Sequence, residues 1–223
     1  EALDCIQYAK AAGFKNITID LIYGLPKQSN KNWKKNLAQM IALEIQHFSA
    51  YSLTVEPKTK LKYQIDNKKV TPLDEKIIID HYNTLLEEAN KHNFIHYEIS
   101  NFGKEGFFSK HNTSYWKNKN YLGVGPSAHS FNGESRQWNI SSNKQYIEKI
   151  KKDETYFDFE ELSNTQQYNE YILTSLRTIW GVDLNYINNN FAKESLNYFR
   201  KQIVNWEKKG KIKKQGNTYT LTK

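Results

Sequence analysis

Apolar residues recur along this chain at two periods, and the switching between them outlines the fold. Leu3, Ile6, Ala9 and Ala12 fall at helical spacing, with Gly13 placed where a helix ends. Asn16 to Tyr23 is then rich in β-branched residues and is closed by Gly24 and Pro26, the pattern of a buried strand. Trp33, Leu37, Met40 and Ile41 share one face of a second helix, and Phe48 to Leu53 reads as a further strand. Helix, strand, helix, strand with short loops predicts an α/β fold with a parallel sheet and right-handed crossovers.

The pattern continues with a helix start at Thr71-Pro72-Leu73-Asp74, Thr71 as N-cap and proline in the first turn. Ile78, Tyr82, Leu85 and Ala89 carry that helix to about Lys91, and Phe94 to Ile99 is a short strand. From about residue 143 the spacing is helical again. Tyr171, Leu173, Leu176 and Ile179 mark one helix closed by Gly181, with shorter helices near 184–190 and 194–208. The segment from Lys211 to Leu221 reads as a hairpin turning at Gly216-Asn217. Helices ending in a hairpin have the outline of a winged helix. The expected boundary lies near residue 155, giving regions 1–155 and 156–223.

Composition narrows the classes. A chain of 223 residues, 38% hydrophobic and 14% aromatic, can bury a real core despite a mean hydropathy of −0.80. The single cysteine, Cys5, excludes a disulfide framework and any metal site needing several thiolates from this chain. It also points to a reducing, cytoplasmic setting. No apolar run approaches the roughly 18 residues of a membrane span. The start, Glu1-Ala2-Leu3-Asp4, has no basic region and no initiator Met, so no signal peptide is expected and a piece of a longer protein is. The 32 basic against 24 acidic residues leave a net charge of +8, nearly all of it lysine. Only Arg136, Arg177 and Arg200 offer the planar fork that base and phosphate recognition favours, so the charge reads as a solvated surface and nucleic acid is a remote partner.

Three segments can carry chemistry. In Asp20-Leu21-Ile22-Tyr23-Gly24-Leu25-Pro26, strand alternation sets Thr18, Asp20 and Ile22 on the face opposite Ile17, Ile19 and Leu21. In a β/α barrel Asp20 then faces the lumen near the strand's C-terminal end, where it can bind a ribose hydroxyl or an ammonium. The plainer reading is a strand-end aspartate capping the next loop. In His111-Asn112-Thr113-Ser114-Tyr115-Trp116, the imidazole can ligate iron, Asn112 can orient it, and Tyr115 and Trp116 can cover a macrocycle. The alternative is a histidine satisfied beside core aromatics. In Tyr121-Leu122-Gly123-Val124-Gly125-Pro126-Ser127-Ala128-His129-Ser130-Phe131, small residues let backbone approach a ligand, or simply close a tight loop between strands. The glycines match neither a dinucleotide fingerprint nor a P-loop.

Read in order, these segments, with Phe48 to Pro57 and Tyr97-Glu98-Ile99-Ser100-Asn101-Phe102, resemble the radical S-adenosylmethionine proteins related to oxygen-independent coproporphyrinogen III dehydrogenase. The resemblance is greatest to the HemW-like heme chaperones and covers roughly residues 1–135, with a looser likeness beyond 155. It implies the C-terminal part of a partial (β/α)6 barrel followed by a small helical, winged-helix-like domain. The earlier strands and the Cys-x-x-x-Cys-x-x-Cys loop for a [4Fe–4S] cluster would lie upstream of Glu1. By the same resemblance Asp20, Thr54 and His129 contact S-adenosylmethionine. His111, Asn112, Tyr115 and Trp116 form the heme-binding segment, with His111 on the heme iron; from the local sequence, Lys110 and Lys117 can pair with the propionates. The implied function is heme binding and delivery to an acceptor protein. Porphyrinogen oxidation is the first alternative and a winged-helix nucleic-acid module the second. Without the cluster loop, this chain alone is expected to be inactive in radical chemistry.

Overall fold

Ile19 and Leu21 alternate with Thr18, Asp20 and Ile22, and in the computed structural model of the protein this alternation becomes strand β1, Thr18–Tyr23. The structure describes residues 1–222. They form two compact units, residues 1–109 and residues 110 onward. The boundary expected near residue 155 falls inside the second unit.

In the first unit β1 follows helix α1 (Ala2–Ala11) and precedes α2 (Asn30–Ala42), β2 (His47–Ser52), α3 (Lys60–Asp66), α4 (Glu75–Lys91), β3 (Ile95–His96) and β4 (Asn101–Gly103). The sheet order is β1-β2-β4-β3. β1 and β2 pair in parallel, with Asp20 beside Ser49 and Ile22 beside Tyr51. Beyond them the sheet departs from the all-parallel expectation. The strand expected over 94–99 is only two residues long, and β4 turns back to pair antiparallel with both β3 and β2. At the turn Asn101 Nδ2 donates to the buried Glu98 carboxylate, and the backbone amides of Ile99, Ser100 and Asn101 lie near enough to it to favour its charge.

One face of this sheet is backed by α2 and α4. Trp33, Leu37 and Met40 meet Leu85 and Ala89 over Phe48, Ala50 and Phe102, all buried. Phe48 stacks on Phe102 at 4.8 Å and meets Phe94 edge-on at 5.0 Å, while Trp33 Nε1 donates to the His81 carbonyl at 2.8 Å. Ser29 caps α2. The cap of α4 is Asp74 rather than the expected Thr71: its carboxylate accepts Lys76 N–H at 2.8 Å. The helix therefore begins at Glu75, and residues 71–73 lie ahead of its cap in irregular backbone. Helix α3, capped by Thr59, forms where the sequence showed only a lysine cluster.

The second unit runs α5 (Lys110–Trp116), β5 (His129–Phe131), β6 (Ser135–Asn139), α6 (Asn143–Lys151), β7 (Phe157–Glu161), α7 (Asn164–Leu176), β8 (Val182–Asp183), α8 (Leu184–Asn190), α9 (Lys193–Lys208), β9 (Ile212–Gln215) and β10 (Thr218–Leu221). The antiparallel sheet β5-β6-β7 was not anticipated. Its strands are short and polar, as in Ser135-Arg136-Gln137-Trp138-Asn139, and carry no apolar alternation to announce them. Helix α7 stops at Leu176, short of Ile179. The predicted final hairpin is present, and with β8 it makes the sheet β8-β10-β9. Tyr168, Tyr171, Ile187, Leu196, Phe199, Ile203 and Tyr219 form a core under that sheet. Gly181 is required there: its φ is +65° and a Cβ would run into the Tyr219 backbone.

Candidate functional site

The face of the first sheet away from the helices is polar. Register sets Thr18 beside His47 and Asp20 beside Ser49, and Ser49 in turn pairs with Asn101. A chain of hydrogen bonds runs along it. Thr18 Oγ1 and His47 Nδ1 are 2.6 Å apart, His47 Nε2 and the Tyr97 hydroxyl 2.8 Å, and that hydroxyl accepts Ser109 N–H at 3.2 Å. In a second chain Ser49 Oγ donates to Asn101 Oδ1 at 2.8 Å, and Asn101 Nδ2 donates to Glu98. His47, Ser49, Tyr97, Glu98 and Asn101 are all buried, whereas Asp20 is exposed beside them.

Burial sets the protonation of this network. It lowers the His47 pKa, opposed by the nearby Asp20 charge, so the imidazole is held neutral. It pushes the Tyr97 hydroxyl up to about 12. It also raises Glu98, against the bonds its carboxylate receives from Asn101 and the turn backbone. A buried, hydrogen-bonded layer beside one exposed carboxylate can hold Asp20 as a fixed acceptor for hydroxyl or ammonium groups.

In the second unit α5 carries the His111 segment. His111 is exposed and meets the Tyr115 ring edge-on at 4.9 Å, one helical turn along. Among the described residues nothing bonds its imidazole nitrogens, which are therefore open to a ligand. Tyr115 meets Tyr121 at 4.7 Å, and Tyr121 meets Phe131 at 6.0 Å. Trp116 lies about 140° further round the helix than His111. Trp116, Tyr115, Tyr121 and Phe131 line a cavity of about 340 Å³, with Leu173, Arg136 and Glu170. This wall of flat apolar rings beside an open imidazole suits a planar, metal-bearing, mostly apolar ligand. Among the described residues no three His, Cys, Asp or Glu side chains cluster as a metal site.

The loop 121–131 proves to be closed on itself. Tyr121 and Phe131 exchange both backbone hydrogen bonds, and buried Asn139 donates to the Gly125 carbonyl at 2.9 Å. The close approach that Gly123 permits is to the loop's own backbone at His129. Its tips, Leu122 and Val124, are 80% and 82% exposed.

The structure thus places Asp20 and Thr54, both exposed, in the first unit, Thr54 just beyond β2. His129 is exposed at the start of β5 in the second unit; on α5 Tyr115 is exposed like His111, while Asn112 and Trp116 are half-buried. Lys117 sits 4.4 Å over the Trp180 ring, while Lys110 is exposed. Sequence reasoning missed His47, Ser49 and Tyr97. The signal was there for the first two, since His47 and Ser49 alternate with Phe48 and Ala50 as Asp20 does with its neighbours. Cys5 is exposed on α1.

Comparison with known proteins identifies the group. No family model matches the chain. The heme chaperone HemW of Bacillus subtilis is 32% identical over 215 residues, 96% of this chain and 57% of that protein. HemW of Lactococcus lactis is also 32% identical, over 92% of this chain and 54% of its own. The fold matches coproporphyrinogen III oxidase (HemN) of Escherichia coli, a radical SAM enzyme, with a TM-score of 0.77 at 17% identity, covering 99% of this chain and 54% of that one. The chain spans about half the length of the relatives it matches. By these likenesses of sequence and fold, the chain belongs to the HemW/HemN-like proteins.

Proposed function

We propose that the protein is a heme chaperone of the radical S-adenosylmethionine group, which captures heme reversibly through His111 and delivers it to an acceptor protein. One observation carries this reading: His111 is exposed, without a hydrogen bond to its ring among the described residues, and one turn from Tyr115, which lines an aromatic-walled cavity. The imidazole would supply a nitrogen ligand to the heme iron. Tyr115 and Trp116 would cover apolar macrocycle, excluding water from it. Asn112 would help to fix the ligand histidine.

Asp20, Thr54 and His129 would contact S-adenosylmethionine. Asp20, held beside Ser49 on the polar face, would accept from the nucleoside hydroxyls or the amino group. The [4Fe–4S] ligands would come from sequence upstream of Glu1, as would the rest of the barrel, and they would supply the redox chemistry. Three helices with a terminal hairpin, in the order α7-β8-α8-α9-β9-β10, support a winged-helix-like C-terminal region over about 156–223. No helix among the described residues is long and apolar enough to cross a membrane.

An anaerobic assay separates this function from porphyrinogen oxidation. The full-length protein, with its cluster reconstituted, is expected to bind heme and to form no protoporphyrinogen from coproporphyrinogen III. Sustained turnover would replace the chaperone reading with the oxidase.

A further inference from the structure

The cavity beside the His111 helix is not wholly apolar. Arg136, on β6, reaches into it and bonds Glu170, on α7, through Nη2 at 2.6 Å. Its guanidinium carbon lies 5.9 Å from the Phe131 ring centre. Arg136 is one of only three arginines in a chain whose other cations are lysines. The pair is only partly covered, with side-chain exposures of 36% and 26%. An ion pair at such exposure contributes little to stability, so folding alone gives weak reason for it among aromatic rings. Glu170 occupies one of the five N–H donors of the guanidinium, which leaves others for a ligand in the cavity that Arg136 lines. Thr174, the next polar neighbour on α7, gives its hydroxyl to the Glu170 and Tyr171 carbonyls and does not compete for the fork.

We propose that Arg136 anchors a carboxylate on the edge of a flat apolar ligand in this cavity, the propionate of a porphyrin, with Glu170 as its positioning residue. This rests on the heme reading above and adds the group that takes the acid edge of the ligand. Guanidinium matches carboxylate geometry with two parallel hydrogen bonds, and its flat face tolerates the Phe131 ring. It also reassigns the propionate contact that the sequence gave to Lys117, whose ammonium is spent on the Trp180 ring.

The test is a set of equilibrium titrations of the full-length protein with three probes: heme, heme dimethyl ester and metal-free protoporphyrin. Arg136→Gln should weaken heme and protoporphyrin binding about tenfold, the scale of one charge-assisted pair, and leave the ester unchanged. Arg136→Lys keeps the charge on Glu170 and should lose two- to fivefold on the same two probes. It stands in if the glutamine variant does not fold. Equal losses on heme and its ester, or no loss on either, would overturn the proposal. The two readings fail separately. His111→Ala acts on the iron-bearing probes and their Soret band, whereas the Arg136 effect is scored on carboxylate against ester.

Discussion

The two candidate regions hold their chemistry in opposite ways. On the first sheet the polar groups next to Asp20 are joined in two chains, Thr18 to His47 to Tyr97 and Ser49 to Asn101 to Glu98, all of them buried but Thr18. Behind that layer Phe48 and Phe102 stack against a closed core. On α5 the key groups are a seven-residue helix, an unbonded imidazole and rings in edge contact, with Tyr115 42% exposed. A site that must present one carboxylate in one place benefits from the first arrangement, because rigid neighbours cost nothing to reorganise on binding. A site that must take up a large ring and release it benefits from the second, where few native contacts are lost when the ligand leaves.

Mutations should expose this contrast, and the largest effect is expected behind the sheet. Phe48→Ala empties a fully buried ring position and should cost about 3–5 kcal/mol in urea unfolding. A loss below about 1 kcal/mol would mean that the sheet is not the rigid partner. Asn101→Ala comes next, since it strands the buried Glu98 carboxyl and Ser49 hydroxyl, at about 1–3 kcal/mol by the same measurement. Tyr115→Ala, on the exposed helix, should change stability by under about 1 kcal/mol while still weakening heme binding. If Tyr115 proved as costly to folding as Asn101, the distinction between the regions would fail.

A subtler effect concerns pH. His81 on α4 is buried against Trp33 at 6.0 Å between ring centres, with neither ring nitrogen bonded among the described residues. Burial lowers its pKa from the ordinary 6.5, as it does for His47. The unfolded chain therefore takes up protons first as the pH falls, so the stability present above 6.5 is lost as pH falls through that value. Glu98 works the other way. Its carboxyl is raised above the ordinary 4.5, so acidification through its folded pKa restores stability. His81→Leu should thus be at least as stable as the native protein near neutrality and lose less of its unfolding midpoint on acidification toward about pH 5. An unchanged pH slope would show that His81 is not held neutral.

How much of this was legible depended on whether neighbours in space were neighbours in sequence. The alternation through Ile17, Thr18, Ile19 and Asp20 was enough to set Asp20 on the polar face, and the parallel pairing with 47–52 followed from the helix between. The reversal at Glu98 was hidden because the contact that marks it, Asn101 onto the buried Glu98 carboxylate, has no apolar period. The sheet β5-β6-β7 was hidden because its strands are short and polar, and Arg136 because its partner is 34 positions away. The His111 helix was recognisable as a motif, but only the structure set an aromatic cavity beside it.

The central claim is that His111 is the heme ligand. Its most direct test is a visible-absorption titration of the full-length protein and its His111→Ala variant with heme, with unfolding curves for both. The account predicts that the variant keeps its stability within about 0.5 kcal/mol, as an exposed substitution should, and loses the ligated Soret band with at least tenfold weaker binding. An unchanged Soret band and affinity would contradict it.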